Sequence, residues 1–287
     1  MVQRVSGLDV SRWQGEINWP KVAAEGHRFV FIRASIGDTY VDPYFAQNWA
    51  GARGAGLLVS AYHVMRFDQD PRAQADHFLA VLDARVPDLP LVLDLERTDH
   101  ASSDTITTSI GVALERLESL VDRRPLIYTA RWWWHRYVRS SARWADYDLW
   151  IASYTQEPYL PREWTQWQFW QYTAKGRVAG ITGRTVDLNW FNGQESDLVA
   201  YAYGQSPALE RRRPLGRARV LVRKLNVRRG PGRQYEDLGD LHEGDVIDVL
   251  TLGGQDVWVE FEPGKWAAFA LGGQTYMMWV ERAEGQD

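Results

Sequence analysis

Four acidic residues of this sequence interrupt short apolar runs, where burial makes an ionised carboxylate costly unless it is paired or used in chemistry. Asp94 and Glu96 stand two positions apart, so on one strand they point to the same side with Cα atoms about 6.5 Å apart. Asp9 and Asp187 fall in two other apolar runs, near either end of the first 204 residues. These types and spacings indicate chemistry that needs several carboxyl groups at one place.

Carboxyl groups held close together cannot all ionise, so at least one keeps a proton near neutral pH. A protonated carboxyl beside carboxylates supplies a general acid and groups that stabilise positive charge, which hydrolysis of a glycosidic bond requires. Two alternatives remain open: pairing of the acids with loop amides, Arg33 or Arg97, and a metal site built from the same oxygens. Of the six His residues only His63 lies on an apolar run near the acids, which disfavours the metal.

Eight short apolar runs can position these acids. They cover residues 5–10, 29–35, 57–64, 89–96, 125–129, 147–154, 167–172 and 185–190. The first five are each followed by a helical pattern, as over residues 107–122, and the last three are joined by shorter segments without helical periodicity. This order predicts an α/β fold, a modified β/α barrel of eight strands and about five helices, in which all strand carboxyl ends open onto one face and bring the four acids together. An open doubly wound sheet also takes eight strands, but no Gly-rich phosphate motif follows the first one.

Aromatic side chains are unusually frequent, with 15 Trp, 13 Tyr and 9 Phe. Those expected to frame the same face, together with His63, are Tyr62, Tyr128, Trp150, Tyr154, Trp170 and Tyr172. They either stack on sugar rings or fill the barrel. One helical turn cannot direct all of Trp132, Trp133 and Trp134 to a core, so at least one is expected to be exposed after the fifth strand as a shelf for substrate.

Composition limits which partners and which kinds of site the chain can have. The net charge of −4 from 33 basic and 37 acidic residues gives no argument for nucleic acid or an anionic membrane. No run approaches the roughly 20 apolar residues of a membrane helix, and no export signal is recognisable at residues 1–8. Cysteine is absent, which excludes disulfides and thiolate metal sites. A composition shift near residue 204 divides the chain into a first domain, 1–204, a linker, 205–218, and a second domain, 219–287.

The sequence resembles glycoside hydrolase family 25 over about residues 4 to 195. The motifs that carry the resemblance are, in order, residues 7–15 (GLDVSRWQG), 61–63 (AYH), 94–96 (DLE), 127–129 (IYT), 149–152 (LWIA), 170–172 (WQY) and 186–189 (VDLN). The resemblance implies a lysozyme, an N-acetylmuramidase that cuts the β-1,4 bond between N-acetylmuramic acid and N-acetylglucosamine in peptidoglycan.

By that resemblance Glu96 is the general acid, and Asp94 stabilises the developing oxocarbenium ion or orients an N-acetyl group that acts as internal nucleophile. Asp9 and Asp187 adjust the charge and bind substrate. The residues assigned to substrate binding are Tyr62, His63, Tyr128, Trp150, Tyr154, Gln171 and Arg33. No metal or cofactor is expected. The family commonly has Thr-Glu-Gly where this chain reads Ser35-Ile36-Gly37, which removes one acid from the expected site.

The last 80 or so residues are punctuated by Gly and alternate apolar with polar positions, as in residues 246–250 and 257–259, which predicts a small all-β barrel domain. Residues 225–232 (LNVRRGPG), 241–245 (LHEGD), Trp258 and 279–280 (WV) resemble a bacterial Src-homology-3-like domain, which implies binding to the cell wall. Residues 210–233 hold ten Arg or Lys and one acid, and are interpreted either as a solvated linker running into a first strand or as a contact with an anionic polymer.

Three functions are compatible with these patterns. A peptidoglycan hydrolase is favoured, because a protein that only binds glycan has no need of a protonated acid. The others are a non-catalytic glycan-binding protein and a chitin-type N-acetylglucosaminidase on the same barrel. The expected partner is bacterial peptidoglycan, with no nucleic acid, no membrane insertion and a monomeric state. The expected location is extracellular or in the cell wall after release, by a phage-type route or another.

Overall fold

The computed structural model describes residues 4–121, 123–202, 216–228, 233, 237–249, 251–253, 257–262, 265–271 and 274–282. The chain divides into two compact units, Met1–Ser206 and Pro207–Asp287. Among the described residues, no helix is long and apolar enough to cross a membrane.

The first unit is a closed barrel of eight strands surrounded by helices. Its strands are β1 (Val5–Val10), β2 (Phe29–Ile36), β4 (Leu58–Val64), β5 (Val92–Asp94), β6 (Leu126–Ala130), β7 (Leu149–Ala152), β8 (Phe169–Gly176) and β9 (Val186–Phe191), and a short β3 (Tyr40–Val41) folds back onto β2. Pairing of β1 with both β2 and β9 closes the sheet. The predicted eight-stranded barrel is confirmed.

Helices follow each of the first five barrel strands, as the sequence predicts. They are α1 (Trp19–Ala24), α2 (Phe45–Gly54), α3 (Pro71–Leu82), α4 (Ser103–Glu118) and α5 (Arg131–Tyr137). A sixth helix, α6 (Glu195–Ala202), follows β9 and is not anticipated by the sequence interpretation. The helix expected over residues 107–122 begins earlier because the Ser102 side chain accepts the backbone N–H of Thr105 and so caps it.

Alternation along the strands separates two layers of apolar residues. On β2, Val30, Ile32 and Ala34 point outward into the core shared with the helices. Phe29 and Phe31 point into the barrel, where both rings pack edge-to-face against Phe169. The barrel interior is therefore filled with side chains, so a site has to lie at an end of the barrel and not inside it.

The eighth barrel strand runs in the opposite direction to the other seven. β1, β2 and β4 to β8 pair in parallel, whereas β9 pairs antiparallel with both β8 and β1. The expectation that all eight carboxyl ends open onto one face is therefore wrong for β9. The segment between β8 and β9 is too short to carry a helix back across the sheet, so the chain turns and returns beside β8.

The second unit is all-β in its described residues. Its strands are β10 (Gly216–Val220), β11 (Lys224–Arg228), β12 (Asp237–His242), β13 (Val246–Val249), β14 (Thr251–Gly253), β15 (Val257–Glu262), β16 (Lys265–Leu271), β17 (Gln274–Thr275) and β18 (Met277–Arg282). They form two antiparallel sheets, one of β13, β10 and β18 and one of the remaining strands. Trp258, Val259, Ala218 and Met277 are among the buried residues of their shared core.

The boundaries of this unit differ in part from those expected. β10 starts at Gly216, inside the segment 205–218 assigned to a linker, and residues 205–215 and 229–232 lie outside the described part of the chain. Two of the basic residues between positions 210 and 233 are paired within the unit, Arg217 with Asp248 and Lys224 with Asp240. Part of the basic charge that would be available to an anionic polymer in the second of the two interpretations is thus offset locally.

Candidate active site

The four predicted acids lie in one pocket at the carboxyl end of the parallel strands. Asp9 stands near the end of β1 and Asp94 at the end of β5, with Glu96 two residues further along. Asp187 stands near the beginning of β9 and is directly opposite Asp9 in the strand pairing. The reversed direction of β9 explains this placement, because the amino end of an antiparallel strand lies beside the carboxyl ends of its neighbours.

The pocket has a volume of about 280 Å³. Its lining residues are Asp9, Val10, Ser11, Trp13, Gln14, Arg33, Tyr62, Val64, Asp94, Glu96, Tyr128, Trp150, Tyr154, Gln171, Ala174 and Asp187. Ten of the eleven residues assigned from sequence to catalysis or substrate binding are in this set, and His63 is the exception.

Asp9 is held by two side-chain amides at the bottom of the pocket. Its Oδ2 accepts hydrogen bonds from Gln171 Nε2 at 3.0 Å and from Asn189 Nδ2 at 2.8 Å. The Gln171 Oε1 in turn accepts the hydroxyl groups of Tyr128 at 3.0 Å and Tyr154 at 2.8 Å. This network fixes the orientation of both amides and connects the buried acid to a tyrosine at the pocket mouth.

Burial and mutual repulsion keep the carboxyl groups partly protonated. Burial raises the pKa of Asp9 and of Asp94 well above the usual value, and neighbouring carboxylates, Asp187 for the first and Glu96 for the second, raise each further. Burial is also the main cause that raises the pKa of Asp187 to about 6. The same effect raises the pKa of Glu96, against the opposing charges of Arg97 and Arg33. The pocket thus holds protons at pH values where an exposed acid has none.

Glu96 is the most exposed of the four acids. Asp9 and Asp94 are only 6% and 5% exposed, and Asp187 is half-buried. The Asp94 Oδ1 is buried and has no hydrogen-bond partner within the protein. A group entering the pocket can therefore contact Glu96 from the open side and find an unsatisfied carboxyl oxygen at Asp94.

Arg33 brings a positive charge to the pocket and is itself held by Asp42. Both Nε and Nη2 of Arg33 lie 2.8 Å from Asp42 Oδ2. The same carboxylate accepts the backbone N–H of Arg12 and, through Oδ1, that of Tyr44. Asp42 thus joins the end of β2 to the turn that follows β1, which carries Trp13. The alternative that Arg33 pairs directly with the predicted acids is wrong, since its ion pair is with Asp42.

Aromatic rings form the base and the edges of the pocket. The Trp150 ring stacks on Phe31 and contacts Tyr128, with centroid distances of 4.5 Å in both pairs, and its Nε1 donates to Asn189 Oδ1 at 2.7 Å. Trp13 and Tyr154 are 56% and 60% exposed and line the opening. The base is therefore rigid, and flat surfaces are available at the mouth for a ligand.

His63 does not belong to the pocket. It is fully buried, with Nδ1 2.8 Å from Ser35 Oγ and its ring against Phe78 of α3. Because neighbouring residues of a strand point to opposite faces, Tyr62 and Val64 point into the pocket and His63 points out toward the helix. Burial lowers its pKa to about 3, so the ring is neutral. Its assignment to substrate binding is wrong.

The same alternation corrects the prediction that Trp170 and Tyr172 frame the site. Gln171 points into the pocket, whereas Trp170 packs against Trp167 and Tyr172 stacks on Trp190. In α5, Trp133 and Trp134 are buried and Trp132 is 66% exposed, which confirms that at least one of the three faces solvent.

Four residues that line the pocket or hold its side chains in place are not assigned from the sequence: Asn189, Trp13, Gln14 and Asp42. Asn189 follows Asp187 by two positions on β9, and this spacing could have placed it on the pocket side. Ile36, at the position where the family commonly has an acid, is not among the lining residues. In the described part of the chain, no group of three or more His, Cys, Asp or Glu is arranged to hold a metal ion.

The sequence profile of the glycosyl hydrolases family 25 matches residues 8–181, which include the closed barrel up to β8. The chain belongs to glycosyl hydrolase family 25. It is thus a glycoside hydrolase, and the acids that line its pocket are of the kind that such hydrolysis requires.

Named relatives agree with this family. Lysozyme M1 of Streptomyces globisporus is 36% identical over 212 residues, covering 69% of this chain and 71% of the relative. The N,O-diacetylmuramidase of Arthroderma benhamiae is 28% identical over 211 residues, covering 70% of this chain and 87% of the relative. The crystal structure of a bacterial lysozyme from Streptomyces coelicolor superposes with a TM-score of 0.66 at 35% identity, covering 72% of this chain and all of the other.

Proposed function

We propose that this family 25 hydrolase is a muramidase that cleaves the β-1,4 bond between N-acetylmuramic acid and N-acetylglucosamine in bacterial peptidoglycan, with Glu96 as general acid. The observation that carries the proposal is the position of Glu96, which reaches solvent in a pocket where burial raises its pKa. A protonated carboxyl at that place can donate its proton to the glycosidic oxygen of the leaving sugar.

Asp94 is the group best placed to favour the transition state. Burial makes its negative charge unfavourable in the empty pocket, and its Oδ1 has no partner within the protein. When positive charge develops on the sugar ring, an ionised Asp94 becomes favourable, so the interaction is stronger in the transition state than in the ground state. The same oxygen can instead orient the N-acetyl group of the substrate as internal nucleophile. Asp9 and Asp187 maintain the charge of the site and hold the substrate.

Substrate contacts follow from the lining of the pocket. Tyr62 and Trp150 offer the buried apolar base, and Trp13 and Tyr154 offer exposed rings on which sugars stack. Arg33 and Gln171 provide polar contacts whose orientation is fixed by Asp42 and by the two tyrosine hydroxyl groups.

The second unit fits a role in binding the cell wall. Its two small antiparallel sheets and buried Trp258 support a bacterial Src-homology-3-like domain that includes β10 from Gly216 onward, joined by a linker to the catalytic domain of residues 1–204. Holding a hydrolase on an insoluble polymer raises the effective concentration of substrate without changing the catalytic site. We assign the protein to the cell wall or the extracellular space after release, as a monomer that acts on peptidoglycan and binds no nucleic acid.

The test is mass spectrometry of the products from purified peptidoglycan. We expect the wild type to release fragments with reducing N-acetylmuramic acid ends and Glu96→Gln to lose about 10²-fold to 10⁴-fold in turnover, the usual contribution of a general acid. Glu115→Gln, on the exposed side of α4, is the matched control and should keep full activity.

Other products would contradict the proposal in different ways. Reducing N-acetylglucosamine ends would identify a glucosaminidase. An intact glycan that still binds the wild-type protein would identify a wall-binding protein. Full activity of Glu96→Gln would leave the muramidase and remove Glu96 as its acid.

A further inference from the structure

A second cavity adjoins the central pocket along the loops that follow β4 and β5. Val64 and Glu96, at the ends of these loops nearest the strands, line the central pocket. The residues that come next on the same loops line the second cavity, which has a volume of about 430 Å³. Its lining consists of Arg66, Asp68, Arg97, Thr98, Asp99 and His100.

Asp99 connects the two loops that form this cavity. Its Oδ1 lies 2.8 Å from Arg66 Nε and 2.9 Å from Arg97 Nη2, and its Oδ2 accepts the backbone N–H of Phe67 at 3.0 Å. The Asp99 side chain is only 4% exposed. Its charge is therefore used within the protein, and it holds two arginines from different loops in one place.

The backbone of this loop is held in an unfavourable conformation. Asp99 and His100 have φ angles of 45° and 62°, in the left-handed region that non-glycine residues rarely adopt. Such a pair persists only where surrounding contacts determine it, and it is concentrated at sites that bind ligands. Here those contacts are the ion pair of Asp99 with Arg66 and the hydrogen bonds that Asp99 accepts from Arg97 and from the backbone N–H of Phe67.

The groups that remain open to solvent carry both signs of charge. The side chains of Arg97 and Arg66 are 46% and 30% exposed, and that of Asp68, 2.7 Å from Arg66 Nη2, is 45% exposed. Guanidinium groups bind carboxylates through paired hydrogen bonds, and the Asp68 carboxylate suits an ammonium group. The cavity is therefore complementary to a ligand that carries carboxylates and an amine, not to a neutral sugar.

We propose that this cavity binds the charged peptide that branches from N-acetylmuramic acid, beside the bond that is cleaved. The inference rests on the proposed function, since peptidoglycan is a glycan that bears such a branch. Carboxylates of the peptide bind Arg66 and Arg97, and its free amino group binds Asp68. The cavity thereby favours wall glycan over a polymer of N-acetylglucosamine alone, which offers neither charge.

The experiment compares kcat/KM for two soluble glycans prepared from one wall, the first with its peptides and the second after hydrolysis of the amide bond between lactyl group and peptide. We expect the wild type to prefer the first by about tenfold, the effect of one charge-assisted hydrogen bond. Arg66→Gln and Asp68→Asn should each reduce that ratio. Arg66 is chosen because Arg97 also acts on the pKa of Glu96.

Arg116→Gln is the matched control, because Arg116 makes an ion pair of the same 2.7 Å length with Asp76 away from both cavities. It should keep the wild-type ratio. Equal kcat/KM on the two glycans would overturn the inference and leave the muramidase intact. Folded Arg66→Gln and Asp68→Asn variants with the wild-type ratio would likewise overturn it. Cleavage of neither glycan by the wild type would overturn the proposed function, and the inference with it.

Discussion

Asp9 and Asp187 stand directly opposite each other on the two strands that close the barrel. Burial raises the pKa of both carboxyl groups, so they keep protons at pH values where exposed carboxyl groups have lost them. At the residue scale the site is thus a cluster of carboxyl groups that carries fewer negative charges than it has carboxyl groups. Such clusters favour chemistry and oppose stability.

Asp187→Asn should make the protein more stable at pH 7.5 and change its stability little at pH 4. The pKa of Asp187 is about 6 in the folded state and near its ordinary value of 3.8 when unfolded. The folded state therefore binds more protons between these values, and stability is lost as pH rises through 6. At roughly 1.4 kcal/mol per pKa unit, the variant's free energy of unfolding at pH 7.5 should exceed that of the wild type by on the order of 1–3 kcal/mol.

Thermal unfolding of wild type and variant at both pH values measures this effect. Turnover of the variant should fall, since Asp187 lies in the proposed site. A stabilisation that is larger at pH 4 than at pH 7.5 would mean that the carboxyl is not held protonated by its surroundings.

Asp42→Asn should destabilise the protein by about 3 kcal/mol or more, because it leaves the buried guanidinium of Arg33 without its counter-charge. Asp104→Asn is the matched control, since Asp104 pairs with Arg139 at the same 2.8 Å on the exposed surface and should be replaceable with little change. Denaturant unfolding compares the two. Equal stability of both variants would show that Asp42 does not act as a buried partner.

The sequence identifies the acids because carboxylates are conspicuous in apolar runs, and it misassigns His63 because a one-residue shift on a strand reverses the face. The motif at residues 61–63 contains residues of both orientations, and only the packing of α3 against β4 decides which of them point into the barrel. Asp42 is missed for a different reason, since its partner Arg33 lies nine positions away across a hairpin.

At the scale of elements, the order of strands and helices is predictable from periodicity, but the direction of β9 is not. The direction of a strand depends on the segment that precedes it. The segment between β8 and β9 contains no crossover helix, and its Ile181 forms an isolated bridge with Ile17. The sixth helix is equally hidden, because its eight residues make only about two turns and its apolar residues are consecutive, so no helical period is visible.

Gly7→Ala tests the packing of β1 in the closed barrel. A Cβ at this position would lie 2.5 Å from the ring of Phe29, which is fully buried inside the barrel. We expect a loss of about 1–3 kcal/mol in the free energy of unfolding, the usual cost of overpacking. Gly54→Ala, at the end of α2 with open space around its Cβ, is the control and should be neutral or slightly stabilising.

Urea unfolding of both variants gives the comparison. If Gly7→Ala is as stable as Gly54→Ala, the Phe29 ring moves aside freely and the interior of the barrel is less constrained than its packing indicates.

At the scale of the whole molecule, the barrel and the second unit have separate cores. The match with the lysozyme structure from Streptomyces coelicolor covers 72% of this chain and all of that one. A barrel of this kind therefore forms a structure without a second unit. The composition shift near residue 204 could be predicted, whereas the start of β10 at Gly216 could not, because a strand rich in Arg looks like a linker.

A chain shortened to residues 1–206 should keep most of its kcat/KM on soluble glycan fragments and lose much of its binding to intact walls. The physical reason is that the role proposed for the second unit is to raise the local concentration of polymer, whereas the described residues that line the pocket lie between Asp9 and Asp187. Pull-down on purified walls and cleavage of soluble fragments measure the two properties separately. A parallel fall in both would show that the second unit is needed for catalysis itself.

Closure of the barrel by β1 and β9 also sets the order in which activity can arise during synthesis. Asn189 donates to Asp9 across 180 positions of sequence, and Gln171 does so across 162. Contacts of such long range form late, because the intervening chain must first be brought together. A nascent chain that ends before residue 186 carries Asp9, Asp94 and Glu96 but lacks the strand that seals them into one pocket. Hydrolytic capacity therefore appears in a single late step, when the last barrel strand docks.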